Sequence, residues 1–310
     1  MALNRCLVAV LGLLTIAGCS QGPGQYRTQD LEQTLAWDGL TRTYSVHAPA
    51  QIGPQVPLVL VLHGADSNGT EAARYTSMST LADREGFIVV YPDGAPGRAN
   101  SDRGRTWNAV HCCGKAYQND IDDLGFLTAL IEKMLATYPV DPKRIYVVGH
   151  SNGAMMAYKL AAEKSELIAA IAPISGTIGG DPDTSDADHT LKIVPNPEMP
   201  VAVAIFHGTA DHVVPYQDQP GATFGDTRYD LSVNESSRFW SRANGCHPVA
   251  ESESRPPVTI KRYGACNAQG EVWVYSLKDY RHMWNMASPI LADKSSTDLI
   301  WEFLAAHPKP

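Results

Sequence analysis

The chain has 310 residues, of which 44% are hydrophobic and 19% are charged, and this is the composition of an ordinary globular protein. Its 25 Lys and Arg residues against 33 Asp and Glu residues give a formal charge of −8 at pH 7. Because nucleic-acid binding depends largely on neutralising phosphates with positive charge, this balance argues against a nucleic-acid partner.

The first eighteen residues have the features of an export signal. Arg5 gives a basic start, and residues 7–17 (LVAVLGLLTIA) form an apolar run that is too short to span a membrane but has the length of a signal-peptide core. The tetrad at 16–19, Ile-Ala-Gly-Cys, resembles a bacterial lipobox, in which the cysteine becomes the lipid-modified first residue of the mature protein.

We therefore expect residues 1–18 to be a lipoprotein signal peptide and residues 19–30 to be a flexible tether. The lipid on Cys19 would anchor the protein to the bacterial cell envelope, at the outer membrane. Secretion after cleavage nearby, without a lipid, is the alternative.

The rest of the chain alternates between strand-like and helix-like segments. Residues 42–48 alternate as a half-buried strand does, and residues 57–63 (PLVLVLH) form the continuous apolar run of a strand covered on both faces. The further predicted segments are helix 71–84, strand 87–91, helix 121–137, a strand and a helix within 144–163, strands 169–174 and 201–206, helix 232–243, strand 271–276 and helix 288–306. This alternation predicts an α/β fold with a mostly parallel central sheet and helices on both faces, in one domain over residues 31–310.

Three stretches fit no regular element, namely residues 92–119, 176–200 and 246–264. Each is rich in Gly, Pro or Asp and adjoins a predicted strand. Because α/β proteins place their sites in the loops at strand ends, we expect these stretches to form the functional site.

Four cysteines lie outside the leader and the lipobox, namely Cys112, Cys113, Cys246 and Cys266. An even number in an exported protein indicates disulfide bonds, and three pairings are possible. Adjacent Cys112 and Cys113 can bond each other only through a strained turn, whereas Cys246 and Cys266 flank a Pro-rich segment and are free to meet, so we expect the bond Cys246–Cys266. A zinc site is the competing interpretation, but no Cys-x-x-Cys spacing exists.

The strongest chemical signal is Gly149-His-Ser151-Asn-Gly153, which lies between a predicted buried strand and an Ala- and Met-rich helix. In such a strand–turn–helix the serine sits on a tight turn, and side chains at the two glycine positions would collide with the strand and the helix. Ser151 is therefore the candidate nucleophile. The backbone N–H of Asn152 at the helix start and that of Ala65 after the strand 57–63 are the candidate donors of an oxyanion hole.

A serine nucleophile needs a histidine base, and the base needs a carboxylate that holds its tautomer. Asp211 follows one predicted strand, and His282 lies between another strand and the last helix, which gives the chain order Ser, Asp, His. His207 and His212 flank Asp211 and superficially suggest a metal cluster, but their positions suit a triad loop better. Because the chain shows neither a phosphate-binding glycine pattern nor paired metal carboxylates, we expect no cofactor and no metal.

Several segments in order support a resemblance to a known family. They are PLVLVLHG (57–64), YPDG (91–94), TWNAVHCCG (106–114), NDIDDLGFL (119–127), GHSNGAMM (149–156), FHGTADHVVPY (206–216) and the NGC at 244–246 that precedes Cys266. Together they resemble the esterase family of polyhydroxybutyrate depolymerases, feruloyl esterases and acetylxylan esterases, which belongs to the α/β hydrolases. The resemblance implies an α/β-hydrolase fold and a serine carboxyl-ester hydrolase with Ser151 as nucleophile, Asp211 as acid and His282 as base.

The match is imperfect around His282. Tyr280 and Arg281 precede it where relatives have glycines, and Trp284 is retained without the Pro-Gly that follows it in relatives. Arg281 is therefore a candidate for shaping the substrate pocket. Trp107 and Trp284 are candidates for the pocket wall, because aromatic faces suit sugars, feruloyl rings and polyester chains alike, and core packing is the alternative for both.

The expected partners are an ester substrate, either a polyester oligomer or a plant cell-wall ester, and a membrane through the lipid on Cys19. Neither a nucleic acid nor an obligate protein partner is indicated. A serine peptidase on the same fold and a non-catalytic surface-binding lipoprotein are the alternatives, and an intact set of Ser, Asp and His argues against the second.

Overall fold

A computed structural model describes residues 31–97, 104–185, 190–220, 227–284 and 289–310. The predicted leader at 1–18, the tether at 19–30 and Cys19 within it lie outside the described residues. Within those residues no helix combines the length and the apolar character that crossing a membrane requires.

The described part of the chain contains one large sheet, one small sheet and helices around them. The strands are β1 (Leu31–Trp37), β2 (Leu40–His47), β3 (Val56–Leu62), β4 (Ile88–Pro92), β5 (Val140–His150), β6 (Ala170–Ile174), β7 (Gly179–Asp181), β8 (Lys192–Ile193), β9 (Ala202–Gly208), β10 (Gln219–Pro220), β11 (Tyr229–Asp230), β12 (Glu251–Arg255), β13 (Val258–Tyr263) and β14 (Val272–Leu277). The helices are α1 (Gly69–Thr76), α2 (Met78–Glu85), α3 (Gly114–Gln118), α4 (Asp123–Thr137), α5 (Asn152–Glu163), α6 (Val233–Ala243) and α7 (Ser296–Ala306).

The large sheet has the order β1-β2-β4-β3-β5-β6-β9-β14-β13-β12. Its middle, from β4 to β14, is parallel, whereas β1 and β2 at one edge and β13 and β12 at the other pair antiparallel. Strands β3, β4, β6 and β9 are buried at every residue, which explains their continuous apolar runs. The predicted mostly parallel α/β sheet is confirmed.

The large sheet separates two apolar layers. In β3, Leu58, Leu60 and Leu62 pack into the layer beneath α4, α5 and α6, whereas Val59 and Val61 pack into the layer beneath α1, α2 and α7. This alternation is the two-residue period of a strand with both faces covered. The strand ends are therefore held rigidly at the edge of the sheet where the loops begin.

Two predicted helices have different bounds in the structure. The segment 71–84 is two helices, because Ser77 adopts a φ of +52° between α1 and α2. The last helix begins at Ser296 rather than near residue 288, and Ser295 and Asp298 form a capping box at its start.

The stretch 246–264, predicted to be a site loop, is largely the hairpin β12–β13 at the edge of the large sheet. Residues 31–37, for which no element was predicted, form β1 and pair with β2 along their whole length. The small sheet has the order β10-β11-β7-β8, and the predicted loop stretch 176–200 supplies β7 and β8.

A disulfide joins Cys246, just after α6, to Cys266, just after β13, and their Cα atoms lie 3.8 Å apart. This is the pairing that the sequence favours. The structure also bonds the sulfur atoms of Cys112 and Cys113 to each other.

We predict that a protein carrying both Cys246→Ser and Cys266→Ser melts several degrees lower than the wild type. The cysteines are 20 residues apart, and closing a loop of that length stabilises a protein by roughly 3 kcal/mol because it restricts the unfolded chain. Thermal unfolding followed by circular dichroism measures the change. A peptide map of the unreduced protein that joined either cysteine to Cys112 or Cys113 would contradict this pairing.

Candidate active site

Ser151 lies on the sharp turn between β5 and α5. Its φ is +56° and its ψ is −121°, a conformation that a residue other than glycine rarely adopts. A Cβ at Gly149 would lie 2.2 Å from the carbonyl O of Gly153, and a Cβ at Gly153 would lie 2.3 Å from the carbonyl O of Leu62. Glycines at both positions are therefore what allows the serine to stand out at the end of β5.

His282 connects Ser151 to Asp211. The Nε2 atom of His282 lies 2.8 Å from Ser151 Oγ, and its Nδ1 atom lies 2.8 Å from Asp211 Oδ2. The side chain of Asp211 is fully buried, whereas that of His282 is 16% exposed. The structure thus brings the three predicted side chains into one hydrogen-bonded line that ends at the surface of a cleft.

Asp211 is held by several donors besides His282. Its Oδ1 accepts hydrogen bonds from the backbone N–H groups of Val213 at 2.9 Å and Val214 at 3.1 Å, and His207 Nε2 lies 3.3 Å from its Oδ2. Burial raises the pKa of Asp211, but the hydrogen bonds from His207 and His282 outweigh burial, and the resulting pKa is below the ordinary value. Asp211 is therefore ionised at neutral pH, as a carboxylate that orients a histidine must be.

His150, for which the sequence predicts no role, packs against His282 with ring centroids 5.1 Å apart. Burial, with a smaller effect from His282, lowers the pKa of His150 to about 3. The ring of His150 is therefore neutral and places no fixed positive charge beside His282. Its position between the first glycine and the serine of the motif carries no sequence signal for this contact.

The two predicted oxyanion donors lie beside Ser151. A Cβ at Gly64 would lie 3.4 Å from the Cβ of Ser151, so the end of β3 touches the turn. Ala65, Ser151 and Asn152 line the same cleft. Within the described residues, the backbone N–H groups of Ala65 and Asn152 donate to no protein acceptor, so both can donate to an oxygen bound in front of Ser151.

The cleft in front of Ser151 has a volume of about 1000 Å³. Close to the serine its wall is apolar, because Met155 lies one turn along α5 and Val213 and Val214 follow Asp211. The predicted loop stretches 92–119 and 176–200 supply a more polar wall, which includes Tyr117, Gln118, Asp181, Asp183, Thr190 and Lys192. Among the described lining residues, none comes from the third predicted stretch, because that stretch extends the sheet instead.

The structure corrects the expectation for both tryptophans. Trp107 is fully buried and its indole N–H donates to the carbonyl O of His63 at 3.0 Å. Trp284 is 8% exposed and its indole N–H donates to Thr297 at 3.3 Å. Both indoles find their acceptors in the interior, so they pack in the core and do not wall the cleft. Arg281 is exposed and is not among the described residues that line the cleft.

No group of three or more His, Cys, Asp or Glu side chains in the described ranges is arranged to hold a metal ion. The histidines near Asp211 have other roles in the structure. His207 Nε2 donates to the carbonyl O of Val214 at 2.8 Å and lies beside the Asp211 carboxylate, whereas His212 is exposed.

The sequence is similar to those of known esterases. Acetylxylan esterase/xylanase XynS20E of Neocallimastix patriciarum, a bifunctional protein, is 30% identical over 267 residues, which are 86% of this chain and 33% of that protein. Feruloyl esterase D of Neurospora crassa is 24% identical over an alignment of 324 positions, gaps included, which covers 98% of this chain and 95% of that protein. For the bifunctional protein and three further relatives, this chain spans only between about a third and three fifths of the relative's length.

The fold is also that of a solved esterase. The acetyl xylan esterase from Aspergillus awamori superposes with a TM-score of 0.63 at 16% identity, over 89% of this chain and 99% of that chain. This likeness confirms the predicted α/β-hydrolase fold. The family model described as Esterase PHB depolymerase matches residues 43–213, from β2 to the loop that carries Asp211. A match over more than half of the chain, in agreement with the resemblance of the separate motifs, shows that the chain belongs to the Esterase PHB depolymerase family.

Proposed function

We propose that this protein is a serine carboxyl-ester hydrolase with Ser151, Asp211 and His282 as its triad. The observation that carries the proposal is the line of two hydrogen bonds, each 2.8 Å long, from Ser151 Oγ through His282 to Asp211. The two backbone N–H groups beside the serine, from Ala65 and Asn152, support it, because ester hydrolysis needs donors where the negative charge develops.

In the first half of the reaction, Ser151 Oγ attacks the carbonyl carbon of the ester while His282 Nε2 accepts its proton. The Nδ1–H of His282 donates to the ionised Asp211, which stabilises the imidazolium that forms. The N–H groups of Asn152 and Ala65 hold the oxyanion of the tetrahedral intermediate. His282 then gives its proton to the leaving alcohol as the carbon–oxygen bond breaks, and the acyl group stays on Ser151.

In the second half, a water molecule replaces the alcohol. His282 accepts a proton from this water as its oxygen attacks the acyl carbon, and the same two N–H groups hold the second oxyanion. The bond to Ser151 Oγ then breaks, the proton returns to the serine, and the acid product leaves.

We predict that Ser151→Ala abolishes hydrolysis of p-nitrophenyl acetate and butyrate in a folded protein, because no nucleophile remains. Asp211→Asn and His282→Ala should each lower kcat by roughly 10³-fold or more, and the double variant should be little worse than either. Steady-state kinetics on proteins with the wild-type circular dichroism spectrum provides the measurement. The control is His212→Ala, since this exposed imidazole adjoins Asp211 in the chain and should be dispensable.

Two results would count against the triad. A Ser151→Ala protein that kept more than a few per cent of the wild-type rate would reject the nucleophile. Losses that multiplied in the double variant would contradict a single shared mechanism.

We propose further that the substrate has a short acyl or hydroxyacyl group. The apolar wall of Met155, Val213 and Val214 next to Ser151 suits a short chain, and the polar wall farther out suits hydroxyl and ester oxygens. The two similar sequences above are named as acetylxylan and feruloyl esterases, and the family is named for polyhydroxybutyrate depolymerase. A polyester oligomer or a plant cell-wall ester is the substrate class that these observations favour.

We predict that kcat/KM for p-nitrophenyl esters is high for acetate and butyrate and falls steeply toward the sixteen-carbon palmitate, because the polar wall of the cleft solvates a long alkyl chain poorly. The same assay with 3-hydroxybutyrate oligomers, acetylated xylan and methyl ferulate ranks the natural classes. Faster turnover of palmitate than of butyrate would refute the proposed acyl preference. Faster cleavage of p-nitroanilides than of the matching esters would favour the peptidase alternative.

We also propose that the protein is exported and tethered by a lipid on Cys19, with residues 31–310 as one catalytic domain. The support comes from the sequence, in which the apolar run 7–17 leads into the lipobox-like tetrad 16–19. The tether at 19–30 is rich in Gln and Gly, and it would let the domain stand away from the membrane.

We predict that Cys19→Ser, expressed in a bacterium, moves the protein out of the membrane fraction and abolishes its labelling by an alkyne fatty acid. Cys6→Ser is the matched control, because this cysteine lies in the leader and would be removed with it. A Cys19→Ser protein that remained labelled and membrane-bound would reject lipidation at this residue.

A further inference from the structure

We propose that Asn152, Trp107 and His63 form an oxyanion brace, a chain of buried hydrogen bonds that fixes the two oxyanion donors relative to each other. The side chains of these three residues would act as positioning groups for ester hydrolysis, without touching the substrate. The inference rests on the proposed function, since that function assigns the backbone N–H groups of Asn152 and Ala65 as the donors.

The first joint of the brace ties the sharp turn at Ser151, between β5 and α5, to the loop before α3. The backbone N–H of Trp107 donates to Asn152 Oδ1 at 2.7 Å, and Asn152 Nδ2 donates to the carbonyl O of Trp107 at 3.0 Å. Asn152 is only 1% exposed. Because both hydrogen bonds are buried, losing one leaves a polar group that has neither its protein partner nor a water molecule in the partner's place. The amide side chain of Asn152 therefore ties its own backbone, one of the donors, to Trp107.

The second joint runs from Trp107 to the end of β3. The indole N–H of Trp107 donates to the carbonyl O of His63 at 3.0 Å, and the two rings lie 5.1 Å apart between centroids. His63 stands two residues before Ala65 in the chain. Trp107 is thus bonded to both segments that carry the donors. Its backbone bonds the side chain of Asn152, and its indole bonds the carbonyl O of His63, close to Ala65 in the chain.

The third joint is within the turn that presents Ala65. His63 Nδ1 lies 2.7 Å from the carbonyl O of Gly64, and the N–H of Gly94 donates to His63 Nε2 at 2.9 Å. These partners require the proton to be on Nδ1. Burial lowers the pKa of His63 to about 4, so the ring stays neutral and keeps both hydrogen bonds at neutral pH.

A buried ion pair anchors the segment of the loop that carries Trp107. Asp123 accepts a hydrogen bond from Arg42 at 2.6 Å and another from the N–H of Asn108, the neighbour of Trp107, at 2.8 Å. The guanidinium of Arg42 also donates to the carbonyl O of Asp93 at 2.9 Å. The loop that carries Trp107 is therefore anchored to α4 and β2, and the brace transmits that rigidity to the two donors.

The brace should act on the transition state more than on substrate binding. Removing one oxyanion donor lowers kcat by about 10²–10³-fold in serine hydrolases, because the donors matter most when the oxygen becomes charged. When a donor is present but loosely positioned, kcat should fall by part of that factor. We therefore expect a fall in kcat with little change in KM.

Two variants each break one joint and leave both backbone donors in place. Trp107→Phe removes the indole N–H and keeps a buried aromatic ring, and Asn152→Ala removes the clamp. We expect kcat to fall roughly 10-fold in the first and between about 10- and 100-fold in the second, with KM within about twofold of wild type. The inhibition constant of a trifluoromethyl ketone, whose hemiketal oxyanion mimics the intermediate, should rise by the same factors.

The chain offers a matched control for each variant. Trp240 is also fully buried, and its indole N–H has no hydrogen-bond partner in the described part of the chain, so Trp240→Phe removes the same atoms without breaking a joint. Asn244 makes a similar reciprocal pair with Val201, donating to its carbonyl O at 2.7 Å and accepting from its N–H at 3.2 Å. That pair precedes β9 and so lies at the opposite end of the parallel strands from Ser151. Trp240→Phe and Asn244→Ala should both keep the wild-type kcat and the wild-type inhibition constant, whatever their melting temperatures.

Counting active sites separates positioning from a general loss of structure. Labelling with a fluorophosphonate to its end point gives the number of reactive serines, so kcat is expressed per labelled Ser151. If Trp107→Phe and Asn152→Ala only lowered the melting temperature and the labelled fraction, with kcat per labelled site equal to that of the controls, the brace would be overturned.

Amide hydrogen exchange tests the brace independently of catalysis. The N–H groups of Asp66 and Ser67 donate to the carbonyl O atoms of Arg105 and Gly64 at 3.0 and 3.3 Å, and they should exchange faster in Trp107→Phe than in Trp240→Phe. Equal exchange in the two variants would reject the brace. Failure of the wild-type protein to react with the fluorophosphonate would reject the proposed triad instead, and the exchange comparison would still test the brace.

Discussion

The positive φ of Ser151 is the constraint on which the rest of the site depends. A non-glycine residue in a disfavoured backbone conformation costs of order 1–3 kcal/mol and persists only where its surroundings determine it fully. Here residues 145–149 of β5 are buried inside the large sheet, α5 is buried along most of its length, and the N–H of Ser151 donates to the carbonyl O of Ile174 in β6 at 2.9 Å. The packed sheet thus holds the turn, and the turn directs the serine hydroxyl and the N–H of Asn152 toward the same cleft.

Sheet topology explains how residues far apart in sequence meet at that turn. Ser151 and His282 are 131 residues apart, and His282 and Asp211 are 71 apart. Parallel strands all end at the same edge of a sheet, and β9 and β14, which precede Asp211 and His282, are neighbours. With β6 the only strand between β5 and β9 in the sheet order, the three loops that carry these residues converge at one edge of the sheet.

Much of this arrangement could be predicted because it leaves local marks in the sequence. Strands buried on both faces read as unbroken apolar runs, and the sharp turn at Ser151 requires glycines at 149 and 153 whatever the substrate. Other features have no local mark. The break at Ser77 is marked by no Gly or Pro, and the edge strand β12 (ESESR) is polar and mostly exposed, so neither shows the apolar pattern of its element. Whether Trp107 faces a cleft or the core likewise depends on the carbonyl O of His63, which a single sequence does not place beside it.

The loop segment TWNAVHCCG (106–114) has side chains that point to two different sides. Trp107 and Asn108 point inward and bond Asn152, α4 and the residue after β3, whereas His111, Cys112 and Cys113 line the cleft. The inward side belongs to the scaffold around Ser151, and the outward side faces the cleft together with the small sheet. Because these walls lie outside the large sheet, they can change without disturbing the triad. Family membership therefore identifies the scaffold, while the proposed choice of ester would depend on the side chains of α3 and the loop before it and of strands β7 and β8.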